Sequence, residues 1–74
     1  MEKNWLVSLC EKYGITFYEL SKRSGVAQST LSNIKNKNIS FRDVKFGTVI
    51  FISDALGMSP NQFLNFVSKV EFDL

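Results

Sequence analysis

Five short polar side chains recur at helical spacing between positions 28 and 36: Gln28, Ser29, Ser32, Asn33 and Asn36. Because residues three or four positions apart lie on the same side of an α-helix, they would form one stripe, called here the polar stripe. Amides can pair bidentately with adenine in the major groove of DNA, and hydroxyls can pair with either base type. The stripe carries no charge and no bulky group, so it indicates a surface that approaches base edges. A merely polar, solvated helix face is the alternative.

Two short helices with a glycine-containing turn between them are predicted to position this stripe. Thr16 and Glu19 have the spacing of a capping box, which starts a helix. Gly25 ends that helix, because glycine accepts the left-handed conformation common at helix C-termini. The next helix begins near Gln28 and runs to about Asn36. The residues predicted to be buried or closely packed in this helix-turn-helix pattern are Leu20, Ser21, Val26, Leu31 and Ile34.

Three further helices are predicted, one before this motif and two after it, which makes the fold all-α. The first runs from about Asn4 to Tyr13, where Gly14 ends it, and its apolar face comprises Leu6, Leu9, Cys10 and Tyr13. The fourth runs from about position 44 or 46 to Leu56. The fifth opens at Ser59, with Pro60 at its first position and Gln62 closing a second capping box. The polar, basic segment 35–40 is predicted to be a loop.

Composition argues against catalysis and against a bound metal or cofactor. The chain has no histidine and a single cysteine, Cys10, so it offers no imidazole base, no zinc-ligand pairs and no internal disulfide. Its four glycines are not clustered as a phosphate-binding loop requires. Trp5 and Cys10 are predicted to pack in the core. We therefore expect no enzyme, no cofactor and no metal.

Positive charge is concentrated in the middle of the chain, although the net charge is only +2. Residues 12–45 carry seven basic and two acidic side chains, whereas residues 46–74 carry one basic and three acidic ones. A face that binds a polyanion requires such a concentration. A chance distribution over a solvated surface is the alternative.

No membrane-spanning or secretory segment is apparent. The longest apolar run covers only residues 49–52, far below the ~20 residues of a membrane span. The first residues lack the basic and apolar regions of a secretory signal. We expect a cytoplasmic protein that does not bind membranes.

Two segments resemble the phage lambda repressor/Cro-like (Xre-type) helix-turn-helix family. They are YELSKRSGVAQSTLSNIKN at 18–36 and ISDALGMS at 52–59, the latter similar to the family's usual Ile-Ala-x-Ala-Leu-Gly at the exit of its fourth helix. The resemblance covers about residues 4–68. It implies a compact five-helix domain of the lambda-repressor type that binds double-stranded DNA and regulates transcription as a repressor.

The resemblance also implies roles for individual residues. Those implied to contact bases are Gln28, Ser29, Ser32 and Asn33. Those implied to contact phosphates are Thr16, Tyr18, Thr30, Lys35, Asn36, Lys37 and Arg42.

Three positions depart from the family pattern. Phe17 replaces a polar residue and is assigned no phosphate contact. Ala27 stands at the usual Ser/Thr N-cap, a loss of about 1 kcal/mol. The loop after Asn36 lacks the common glycine and is longer than in the shortest members, so the role of residues 37–45 stays open.

After the helix that carries the polar stripe, the chain has more apolar residues than a small monomer needs for its core. We expect residues 1–68 to form the DNA-binding domain and residues 69–74 a short C-terminal tail, either a half-buried strand or a docked extension. A homodimer is expected to form through Ile50, Phe51, Phe66, Val70 and Phe72. The alternative is that these residues cover the monomer's own core.

No small-molecule ligand is expected. The competing hypothesis for function is an antitoxin-like or adaptor module that binds another protein through this apolar half.

Overall fold

Local capping signals mark where several helices of the protein begin and end. The computed structural model describes residues 4–72, which form five α-helices and one 3-10 turn. The helices are α1 (Trp5–Tyr13), α2 (Phe17–Ser24), α3 (Gln28–Asn36), α4 (Phe46–Ala55) and α5 (Pro60–Phe72), and the 3-10 turn is Phe41–Asp43. The described part contains no strand, so the predicted all-α, five-helix fold is confirmed.

Both predicted capping boxes are formed. The Glu19 amide donates to Thr16 Oγ1 at 3.1 Å, and the Thr16 amide donates to Glu19 Oε1 at 3.2 Å. At the start of α5, the Gln62 amide donates to Ser59 Oγ at 3.2 Å while the Ser59 amide donates to Gln62 Oε1 at 2.9 Å. Each box satisfies amides that would otherwise lack a partner inside the helix. In contrast, Ala27 gives α3 no side-chain cap.

All five helices contribute buried side chains to one core. α1 packs against α3 and α5, while α2 packs against α3 and α4. Trp5 is buried at 2% exposure and meets Phe63 edge to face, with the ring centroids 5.7 Å apart. The other fully or nearly fully buried apolar residues are Leu6, Leu9, Cys10, Leu20, Val26, Leu31, Ile34, Val49, Ile52 and Val67. The helix-turn-helix residues predicted to be buried are therefore in the core.

Cys10 is a packed core residue, as predicted. Burial disfavours its thiolate and raises the pKa of the thiol to about 11. The neutral thiol therefore persists at physiological pH, and it behaves as a small apolar group.

Two expectations were wrong. Tyr13 shares the apolar spacing of α1 but is 38% exposed. It is the last residue of the helix, where Gly14 turns the chain away at φ 64° and the core no longer covers the ring. Of the two alternatives for the C-terminal tail, the half-buried strand is wrong, because Val70 to Phe72 continue the last turn of α5. The described residues do not include the first three, where the sequence shows no secretory signal, or the last two, Asp73 and Leu74.

Neither a membrane-spanning helix nor a metal-binding cluster occurs within residues 4–72. No helix there is long and apolar enough to cross a bilayer. No group of three or more Asp, Glu or Cys side chains there is placed to hold a metal ion.

The contrast between the α2 and α3 caps predicts opposite effects on stability. Ala27→Ser supplies the missing cap, and we expect it to raise the free energy of unfolding by roughly 0.5–1 kcal/mol. Thr16→Ala removes one half of a formed capping box and should lower it by about 1 kcal/mol. Urea denaturation of both variants and the parent measures these changes. An Ala27→Ser variant no more stable than the parent would contradict the capping argument.

Candidate nucleic-acid interface

The turn between α2 and α3 is fixed by hydrogen bonds from two serines. Ser24 Oγ donates to the Leu20 carbonyl at 2.7 Å and accepts from the Val26 amide at 3.1 Å. Ser21 Oγ donates to the Val26 carbonyl at 2.7 Å. Gly25 adopts φ 78°, which lets the chain turn sharply into α3. The sequence predicted Ser21 for its small size, and its hydrogen bond adds a second reason for its position.

α3 has one buried and one exposed side. Leu31 and Ile34 lie in the core, at 0% and 3% exposure. Gln28, Ser29, Asn33 and Asn36 are exposed, and Ser32 is half-buried. The polar stripe thus lies on the outer side of the helix.

The C-terminus of α3 is closed by a residue that the sequence analysis did not assign. Asn38 takes the left-handed conformation at φ 49°, the position that glycine usually fills. The Ile39 amide then donates to the Ile34 carbonyl at 2.9 Å, and the Asn38 amide donates to the Lys35 carbonyl at 3.1 Å. This is a Schellman motif. Asparagine also occurs at this left-handed position, though less often than glycine. That preference could have identified Asn38 from the sequence.

Two residues at the start of α1 hold this closing turn from the other side. Asn4 Nδ2 donates to the Ile34 carbonyl at 3.3 Å and to Asn38 Oδ1 at 3.1 Å. Trp5 Nε1 donates to the Ile39 carbonyl at 2.9 Å. The end of α3 is therefore bonded directly to the N-terminus of α1.

The next part of the loop is held by the last turn of α5. Ser40 Oγ donates to Glu71 Oε2 at 2.5 Å, and the Phe41 amide donates to Glu71 Oε1 at 3.2 Å. The Phe41 and Phe72 rings meet edge to face at 6.0 Å. The segment 37–45, whose role the sequence left open, is thus attached to the body of the protein at two places. Sequence reasoning missed Glu71, and no short-range spacing points to it.

The side chains predicted to contact phosphates are all exposed. They are Thr16, Tyr18, Thr30, Lys35, Asn36, Lys37 and Arg42. Thr16 Oγ1 is engaged with Glu19 in the capping box. Lys22 Nζ lies 4.8 Å from the centroid of the Tyr18 ring, which places a cation next to the start of α2. Arg42 Cζ lies 6.0 Å from the centroid of the Phe72 ring.

The residues predicted to form a dimer interface are divided between core and surface. Phe66 and Val70 are half-buried and pack against the core. Phe51 is 58% exposed on α4, beside the half-buried Ile50. Phe72 is 47% exposed although it contacts Phe41. The apolar surface that stays open on this half of the protein therefore centres on Phe51, with Phe46 and Leu64 also exposed.

Comparison with known proteins gives one match. A family model described as a Cro/C1-type HTH DNA-binding domain matches residues 6–69. The matched range includes α2, the turn, α3 and the loop that follows it. No curated protein and no solved structure matches the chain.

Proposed function

Because the chain belongs to the family of Cro/C1-type HTH DNA-binding domains, we propose that it is a repressor-type transcription regulator that recognises DNA sequence with α3. The family places it among DNA-binding regulators, and the resemblance seen in the sequence is thereby confirmed. We further propose that it acts in the cytoplasm, without a small-molecule ligand.

The observation that carries this proposal is the exposed, uncharged polar stripe on α3. The helix has nine residues, which at 1.5 Å per residue makes it roughly 14 Å long. An α-helix with its side chains is roughly 10–12 Å across, which matches the ~12 Å width of the major groove. We assign base contacts to Gln28, Ser29, Ser32 and Asn33, whose amides and hydroxyls can donate to and accept from base edges.

Phosphate contacts would hold α3 in register on the duplex. We assign them to the exposed cations Lys35, Lys37 and Arg42, together with Thr30 and Asn36 on α3. At the start of α2, the helix dipole and the exposed Thr16 and Tyr18 favour a phosphate of the neighbouring strand.

A homodimer would supply the specificity that one α3 lacks. Four base-contacting side chains discriminate poorly against a genome, whereas two-fold pairing doubles the contacted sequence. We assign this contact to the open apolar surface around Phe51 and Ile50, with Phe66, Val70 and Phe72 of α5. These residues belong to the acidic half of the sequence, 46–74, whereas the lysines of the α3 region belong to its basic middle.

Selection from a pool of random duplexes tests the function as a whole. A DNA-binding regulator enriches a defined sequence at moderate salt. A chain that enriches none, while binding a protein partner through its apolar half, would instead be the antitoxin-like or adaptor module.

The base contacts predict a loss of sequence preference when an amide is removed. Gln28→Ala and Asn33→Ala should each weaken binding to the selected site by about 1–3 kcal/mol per half-site and relax one position. Thermal unfolding should be unchanged, since both side chains are exposed. Asn65→Ala, an exposed asparagine on α5, is the matched control. A double variant that selects the same sequence with the same affinity would refute the assignment to α3.

The phosphate contacts predict a change in salt dependence without a change in preferred sequence. Replacing Lys35 and Lys37 with glutamine should weaken binding to every duplex alike and reduce the slope of log K against log salt by roughly 2. The control replaces Lys12 in α1 and Lys69 in α5, two exposed lysines outside the helix-turn-helix motif, and alters the net charge equally. Equal slopes in the two double variants would show that Lys35 and Lys37 contact phosphates no more than lysines elsewhere do.

The dimer predicts that a charge on the open α4 surface separates the protomers. Phe51→Glu should sediment as a monomer and bind a palindromic site much less tightly, because a carboxylate would be buried in the interface. Phe51→Leu keeps an apolar side chain at the same position and should leave the dimer intact. A parent that sediments as a monomer both free and on a palindromic site would contradict the proposal.

A further inference from the structure

Glu71 makes contacts that a residue in a free tail would not make. Both oxygens of its carboxylate accept hydrogen bonds, one from the Ser40 hydroxyl and one from the Phe41 amide. These are the residues at the start of the 3-10 turn, thirty and thirty-one positions away in sequence. The negative charge of the carboxylate also faces the N-terminal end of the turn, where the free amide groups carry partial positive charge.

Phe72 adds a second connection to the same turn. Its ring meets the edge of Phe41 at 6.0 Å, and the Arg42 guanidinium carbon lies 6.0 Å from its centroid. A guanidinium at this distance is attracted to the ring, so the ring restricts where the Arg42 side chain lies. Arg42 itself remains exposed.

The turn therefore has a fixed position relative to α3. Asn4 and Trp5 bond the chain at residues 34, 38 and 39, and Glu71 bonds it at residues 40 and 41. Among the described cations of the loop that follows α3, Arg42 is the one whose side chain lies against an aromatic ring, that of Phe72. A restrained cation loses less conformational entropy on binding a phosphate than a free lysine does.

We propose that Glu71 and Phe72 are positioning residues for DNA binding, because they hold the 3-10 turn so that Arg42 meets a backbone phosphate. This inference rests on the proposed function, and it gives the 37–45 segment its role. It assigns the last turn of α5 to the DNA-binding side of each protomer, in addition to any contact between protomers.

The charge of Glu71 makes the proposal sharply testable. Removal of a carboxylate from a DNA-binding protein raises its net charge and ordinarily strengthens binding to a polyanion. The proposal requires the opposite, since the loss of Glu71 releases the turn that carries Arg42. Asp54→Ala makes the same charge change at an exposed carboxylate on α4 and is the matched control.

The experiment measures binding of the full chain to a short mixed-sequence duplex as a function of salt. Phosphate contacts do not depend on sequence, so no operator is needed. We expect Glu71→Ala to bind roughly three- to tenfold more weakly than the parent, with a slope smaller by about 0.9, the value for one phosphate. Asp54→Ala should bind as tightly as the parent or more tightly.

A double-mutant cycle separates positioning from general destabilisation. Arg42→Gln should reproduce the weaker binding and the smaller slope. In that background Glu71→Ala should have no further effect, because the residue that it positions is gone. An equal loss in both backgrounds, or a Glu71→Ala variant that binds like Asp54→Ala, overturns the inference.

Two further measurements keep the outcome independent of folding and of the proposed function. Phe72→Leu retains the apolar contact and the net charge but removes the ring beside Arg42, so it should shift affinity in the same direction. Without DNA, Glu71→Ala should speed hydrogen exchange of the Phe41 amide while the α3 amides stay protected, and unchanged Phe41 exchange overturns the inference. A parent that binds no duplex would refute the proposed function, and the positioning role with it.

Discussion

The side chain of Asn4 closes the ends of two helices at once, and the placement of α3 depends on it. Its Oδ1 accepts from the Leu6 amide at 2.9 Å and caps α1, while Nδ2 donates to the carbonyl of Ile34 and to Asn38 at the end of α3. Asn4 is only 8% exposed, and a buried amide without partners would cost about 1–3 kcal/mol. Because the amide satisfies three groups from two helices, α3 cannot shift along α1 without leaving some of them unpaired. The helix that presents the polar stripe is thus held at its far end.

Much of the fold could be predicted because its signals are local. The capping boxes at Thr16 and Ser59 each depend on a partner three residues away, so the sequence alone located the starts of α2 and α5. Helical periodicity likewise identified the buried side of α3. Periodicity failed at Tyr13, since it assigns a face to a residue without regard to where the helix ends. After Ser68, the alternation of apolar and acidic residues left a strand or a docked extension open, and the structure excludes the strand, because the chain continues α5 to Phe72.

In the candidate interface, too, the features set by local sequence could be predicted, and those set by distant contacts could not. The polar stripe and its exposed side follow from the sequence, because both depend on the spacing within one helix. The loop after α3 does not, since Ser40 and Glu71 are separated by thirty-one positions and meet only through the packing of α5 beside the turn. Asn38 lies between these cases. Its left-handed conformation fits a known preference of asparagine, but the sequence showed only that the loop lacks the family's common glycine, which left its role open.

The indole of Trp5 has a spectroscopic consequence. Trp5 is the chain's single tryptophan, it is 2% exposed, and its Nε1 donates to the Ile39 carbonyl just beyond α3. Its emission therefore arises from one site, shielded from water and adjacent to the loop that follows α3. Any opening between the start of α1 and that loop would wet the indole and shift its emission to the red, even while distant helices stay folded. A natural fluorophore thus reports on the joint that holds α3, and no external label is needed.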